Sequence, residues 1–162
     1  MSLVDVLEIG VLDSMGERCV RSRMSFQPGD LVASFYGKET RRLPTRMTLQ
    51  ISADEHIDLA PELLQLINHS CEPNVYFDVV HRHLVAIAPI AIGDQVMFFY
   101  PSTEWTMASP FDCRCQSARC LARIAGASQV SPRMLRAHRL APHIEFLLGE
   151  ANWASPQEHR TV

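Results

Sequence analysis

Three cysteines stand together as C-x-C-x4-C in Asp112-Cys113-Arg114-Cys115-Gln116-Ser117-Ala118-Arg119-Cys120. A fourth, Cys71, lies far upstream in Asn68-His69-Ser70-Cys71-Glu72-Pro73-Asn74. This distribution constrains the fold more than any other feature. Four thiolates can close a tetrahedral zinc site with Zn–S distances of about 2.3 Å. A zinc held in this way ties a late loop back onto the middle of the chain, and a pocket between the two segments is complete only with the metal bound. The chain has five cysteines, an odd number that suits four ligands plus Cys19 better than paired disulfides. The start, Met1-Ser2-Leu3-Val4-Asp5, has neither the basic residues nor the apolar run of a secretory signal. The expected compartment is therefore cytoplasmic, where thiols stay reduced and open to metal.

A chain of 162 residues supports one domain with a real core. Apolar residues at 47% and charged residues at 20% are ordinary for a soluble globular protein. The net charge of −3 provides no general field for nucleic acid or anionic lipid. No run of apolar residues is long enough to span a bilayer. Direct nucleic-acid binding and membrane association are not expected.

Residues 1–100 read as short strands and turns. Leu31 to Tyr36 follows a Pro28-Gly29-Asp30 turn and reads as a strand, as does the alternating segment Met47 to Ile51. Pro61 opens a short helical turn to Ile67. Val75 to Val80 and His83 to Ala88 form a hairpin around His81-Arg82. The apolar run Val96 to Tyr100, after a Gly93-Asp94 turn, reads as a buried strand. Residues 101–127 are irregular and hold the cysteine loop. Ser131-Pro132 marks a helix start. The helix pauses near Pro142, resumes and stops at Gly149, leaving a tail over Ala151 to Val162. His56, His81 and His83 are assigned to strands or turns without chemistry, and His138 and His143 to packing in the helical region.

Four segments, in order, resemble the SET-domain methyltransferases. Asn68-His69-Ser70-Cys71-Glu72-Pro73-Asn74 is similar to the family's N-H-S-C-x-P-N signature. Phe26 to Val32 resembles its early turn and strand. Ile90-Ala91-Ile92-Gly93-Asp94-Gln95-Val96-Met97-Phe98-Phe99-Tyr100 resembles the stretch that ends in the catalytic tyrosine. Cys113, Cys115 and Cys120 resemble the post-SET zinc loop.

The resemblance implies a mainly β fold with short helices, built from small sheets with a knot-like crossing at the active site. It implies a SET domain over 1–106, a post-SET zinc loop over 107–127, and a C-terminal helical extension and tail over 128–162. The cofactors it implies are S-adenosylmethionine and Zn2+, the latter on Cys71, Cys113, Cys115 and Cys120. Tyr100 is the implied catalytic residue, positioning amine and methyl rather than attacking. Asn68 is implied to contact the amino acid part of the cofactor, and His69 to offer backbone groups to the adenine edge. Arg18 and Cys19 stand at the early edge of the cofactor cleft. Leu121 and Ile124 are candidates to cover the adenine, and Trp105, in a lid over Tyr100 to Trp105, to line the cleft.

Two features depart from the family pattern. An early G-x-G pair is reduced to Gly16, with Cys19 in the second glycine's place. No tyrosine occurs in residues 38–67, and Met47 stands where an aromatic is expected. The implied activity is S-adenosylmethionine-dependent N-methylation, with a protein or peptide lysine as partner. A small-molecule substrate, with or without methyl transfer, is the alternative; a zinc-stapled binding module without catalysis is a third reading.

Overall fold

The computed structural model describes residues 2–12 and 16–154. The expected tail beyond Ala154 lies outside the described residues. A single helical turn, α1 (Leu3–Val6), leads into β1 (Leu7–Val11), which pairs antiparallel with β2 (Arg18–Ser22). After the turn at Gly29, where φ is +97°, comes β3 (Leu31–Ser34). Next are β4 (Tyr36–Arg41), β5 (Thr48–Gln50) and β6 (His56–Ala60), which form one antiparallel sheet in the order β4-β6-β5. A 3-10 turn at Glu62–Leu66 delivers the chain to β7 (Asn68–His69). The hairpin of β8 (Val75–Asp78) and β9 (His83–Ala86) joins β3 in the order β3-β9-β8. The hairpin expected around His81-Arg82 is present, and Arg82 takes the positive φ of 61° that closes it.

The crossing is made where β10 (Met97–Phe98) pairs parallel with β7, Met97 opposite Asn68 and Phe98 opposite His69. The buried strand expected over residues 96–100 is shorter than its apolar run suggests. Tyr100 already begins a 3-10 turn, Tyr100–Ser102. Asn74 fastens the crossing: its Nδ2 donates to the Gln95 carbonyl at 2.8 Å and its Oδ1 accepts from the Met97 N–H at 2.9 Å. One side chain thereby satisfies two main-chain groups of the segment leading into β10, more than twenty residues further along the chain. The aromatic centre lies alongside, with Phe77 fully buried and meeting Phe35 and Phe98 edge-on, ring centres 5.3 and 4.8 Å away.

The cysteine loop leaves through β11 (Phe111–Asp112) and returns through β12 (Arg123–Ile124), an antiparallel pair. It is locked to the core just beyond: Ala127 N–H donates to the Glu104 carbonyl at 2.8 Å and Ser128 N–H to that of Trp105 at 3.0 Å. Gly126 sits at φ +110°, and a Cβ there would lie 2.5 Å from the Trp105 carbonyl oxygen. Gly126→Ala is expected to cost about 2–4 kcal/mol, strain and overpacking together, read as a lower urea midpoint.

The helix after Ser131 is only one turn, α2 (Pro132–Leu135), capped by Ser131 Oγ accepting from the Met134 N–H. The second, α3 (Pro142–Ala154), passes through Gly149 rather than stopping there. Its inward face, Ile144 and Leu148, is buried, which holds the helix together across a residue that only weakens it. The start of α3 braces the turn that carries Tyr100: Ala141 N–H, just before the helix, donates to the Ser102 carbonyl at 2.8 Å, and His143 Nε2–H donates to the Thr103 carbonyl at 2.7 Å. The stretch expected to be a lid is therefore packed. Pro101, Ser102, Thr103 and Glu104 are all buried, their main chain held from behind by the start of α3 and from below by the segment after Gly126. No helix of the described residues is long and apolar enough to cross a membrane.

Candidate active site

A cleft of about 1020 Å³ runs beside the crossing. Its walls come from β2, the Pro44–Leu49 segment, the 3-10 turn before β7, the crossing itself and the start of the cysteine loop. Arg18, Asn68, His69, Tyr100, Cys113 and Cys115 all line it. The structure thus brings together residues that the sequence scatters over most of the chain.

Tyr100 is held at both ends. Its N–H donates to His69 Nδ1 at 3.1 Å and its hydroxyl donates to the Ile67 carbonyl at 3.0 Å. With its own proton committed, the phenol oxygen keeps its lone pairs for whatever enters the cleft. Burial, and next the negative charge of Glu104, push its pKa well above the usual phenol value. It therefore stays protonated throughout the neutral range. His69 is buried among Phe99, Tyr100 and Phe111. Burial first, and then His138, push its pKa down to about 4, so the ring is neutral. Because Nδ1 accepts from Tyr100, the proton sits on Nε2, which points at Cys71 Sγ 3.3 Å away. The side chain of His69 thus couples the tyrosine to the cysteine cluster. Asn68 Nδ2 donates to the Arg18 carbonyl at 3.0 Å and fixes the edge of β2 beside the crossing.

The sulfur atoms of Cys71, Cys113, Cys115 and Cys120 lie within 4.8 Å of one another. All four are free thiols. A tetrahedral zinc needs sulfurs about 3.8 Å apart, from its bond length of about 2.3 Å. The surrounding donors suit thiolates: Leu121 N–H points at Cys71 Sγ and Ala122 N–H at Cys120 Sγ, each at 3.4 Å. Burial pushes the free Cys71 thiol up to about 11. At Cys115 burial also opposes the thiolate, but hydrogen bonds from the backbone and the neighbouring cysteines outweigh it and bring the pKa down to about 7. The cluster can hold a divalent metal.

Four side chains expected at the cofactor do not line the cleft. Cys19 is fully buried. Along β2 alternate side chains face opposite ways, so Arg18 points to the cleft and Cys19 inward, over Gly10 of β1. A Cβ at Gly10 would come within 3.1 Å of Cys19 Sγ; the glycine makes room for the thiol, and the thiol leaves the cleft clear. Trp105 packs on the core, its N–H bonded to Gln50 Oε1 at 2.8 Å. Leu121 also packs there, and Ile124 is fully buried within β12.

Sequence reasoning missed one group in the wall, Glu104. It is buried, and its Oε1 accepts from the Gln50 N–H at 2.9 Å and from Thr103 Oγ1 at 3.2 Å. Burial is the main reason its pKa is pushed up, to about 7. A single glutamate after the tyrosine carries no spacing signal, so only the fold reveals it.

The chain belongs to the SET domain family, whose model matches residues 17–101. Methyltransferase flvH of Aspergillus flavus is 36% identical over 136 residues, covering 80% of this chain and 76% of the relative. Among solved structures, KRYPTONITE in complex with mCHG DNA and SAH is similar with a TM-score of 0.57 and 24% identity, over 72% of this chain and 28% of that one. KRYPTONITE in complex with mCHH DNA, an H3(1-15) peptide and SAH gives a TM-score of 0.53 at 24% identity, over 72% of this chain and 29% of that one. The chain spans less than a third of KRYPTONITE, and what the two share is the fold. The mainly β SET fold expected from the heptapeptide is the fold observed.

Proposed function

We propose that this chain is an S-adenosylmethionine-dependent N-methyltransferase acting on an amine, with a protein lysine side chain as the leading acceptor. The observation that carries the reading is the parallel crossing of β7 and β10, which sets the Tyr100 hydroxyl, the Asn68-His69 pair and the cysteine cluster around one cleft. In this reading residues 1–106 form the SET domain, 107–127 the post-SET loop and 128–162 a bracing extension.

The cleft fits the cofactor. S-adenosylmethionine supplies, when bound, a methyl group made electrophilic by its sulfonium. Arg18 and Arg46 line the cleft and offer cations to a carboxylate. Gly16 sits at φ +80°, and among the described residues a Cβ added there would meet nothing within 4 Å. Asn68 would hold the amino acid part and the His69 main chain the adenine edge. Zinc on Cys71, Cys113, Cys115 and Cys120 would fix the 107–115 wall. Tyr100 would hold the acceptor nitrogen in line, and alignment of this kind is worth several kcal/mol of barrier.

A free small amine is the second reading. The wall made by Met47, Leu49, Leu59 and Leu64 is aliphatic and has no second tyrosine, so nothing there is specific to a lysine within a peptide. Incubation with methyl-labelled cofactor, a peptide mixture and a panel of small amines separates the two. Label on peptide supports the first and label on a small amine the second. Donor binding without transfer to any amine, or no donor binding in calorimetry, would overturn the proposal.

A further inference from the structure

We infer that Glu104 is the base of the acceptor site: its Oε2 receives the incoming ammonium and takes one of its protons. This deepens the amine-methylation reading and rests on it. An ammonium has no lone pair, so the acceptor must lose a proton before its nitrogen can accept a methyl group. Something in the cleft has to draw the cation in and then remove the proton.

Three carboxylates line the cleft: Glu17, Glu104 and Asp112. Glu17 and Asp112 are exposed, whereas Glu104 is buried, with its side chain only 10% accessible. Its two oxygens differ. Oε1 is saturated by the Gln50 N–H and the Thr103 hydroxyl, which fixes the carboxyl plane. Oε2 receives no hydrogen bond among the described residues; His56 Nδ1 stands 3.9 Å away and is itself without a partner. A buried carboxylate with one oxygen tied down and the other free is a preorganised cation receptor. It stands in the same turn as the tyrosine, since the Glu104 N–H donates to the Tyr100 carbonyl at 3.0 Å.

Arg18 and Arg46 line the same cleft, but among the described residues neither is paired with Glu104. His56 on β6 and His143 on α3 both have lowered pKa values, from burial in each case, and are neutral near pH 7. Tyr100 is held protonated. Neither histidine nor the tyrosine places a cation against the carboxylate. Burial has brought the carboxyl to about 7, close to the working range of a general base. The step balances simply. One N–H bond of the ammonium breaks and one O–H bond forms on Oε2. The electron pair stays on nitrogen for the methyl donor, and the carboxyl proton returns to water when the product leaves.

The test uses butylamine as the probe and the whole chain. Below about pH 7 the carboxyl already carries a proton that the ammonium must displace. Calorimetry should therefore show butylamine affinity rising roughly tenfold per pH unit from 5 towards 7 and then levelling. Infrared difference spectra at pH 8 should show the Glu104 carboxylate stretch shifting when the ammonium binds. Glu104→Gln, which keeps the oxygen facing Gln50, should bind butylamine at least about tenfold more weakly at pH 8 with a flat profile, and bind butanol as the native protein does. An affinity that is flat with pH in the native protein, or a Glu104 carboxylate stretch unmoved by the amine, overturns the inference. So does a Gln variant with the native profile or one that loses butanol equally. None of these readouts needs methyl transfer, so they stand apart from the labelled-cofactor assay.

Discussion

Cys115→Ser is expected to empty the four-cysteine site, leave the 113–122 loop disordered and weaken donor binding by at least about 100-fold. The loop has little else to hold it. Its internal support is the short β11–β12 pair and a few turn bonds, such as Cys120 N–H to the Ser117 carbonyl at 3.1 Å. A structural zinc contributes about 10–16 kcal/mol in small metal-folded peptides, far more than those bonds supply. The same loop contributes Cys113, Arg114 and Cys115 to the cleft wall, so its collapse opens the site. Metal analysis, amide exchange over 107–124 and calorimetry with the donor check the three effects. A chelator should reproduce all of them in the native chain. A native chain that purifies without metal, or a variant with unchanged metal content, would remove zinc from the structure.

The second large effect is on turnover alone. Tyr100→Phe should bind the donor within a factor of about three of the native protein and lose roughly 10²–10³ in kcat, the usual consequence of deleting one preorganised hydrogen-bonding group. The ring remains packed on Phe98 and His69, and the His69–Tyr100 main-chain bond does not involve the hydroxyl. Folding should therefore be little changed. The phenol stays protonated far above neutrality, so its loss should lower the whole pH–rate profile without moving its limbs. Substitution at Glu104 should move the acid limb instead. Native turnover in Tyr100→Phe would exclude the hydroxyl from the mechanism.

Much of the site was legible because the relevant signals are local. The heptapeptide at 68–74, the cysteine spacing and the turns at Gly29 and Gly93 are each read within a few residues. The strands that went unread were β1, β2, β4, β6 and the two-residue β7, β11 and β12. β4 is exposed along its whole length and β6 is buried at both ends, so neither shows the alternation that marks a half-buried strand. The helix expected to stop at Gly149 continues because its inward side chains are buried. The lid expected at 100–105 is instead a buried turn, since its support comes from residues 126–128, 141 and 143.

The amino-acid order by itself determined which thiols could share a metal and which peptide would form the crossing, for those depend on residue type at fixed spacing. Only the tertiary structure decided which way Cys19 faces, where Trp105 packs, and that an ordinary glutamate is buried in the cleft wall beside the tyrosine. Strand alternation points a side chain in or out according to register, and burial alone changes a carboxyl's affinity for its proton. Both are properties of neighbours that the chain acquires only when it closes on itself.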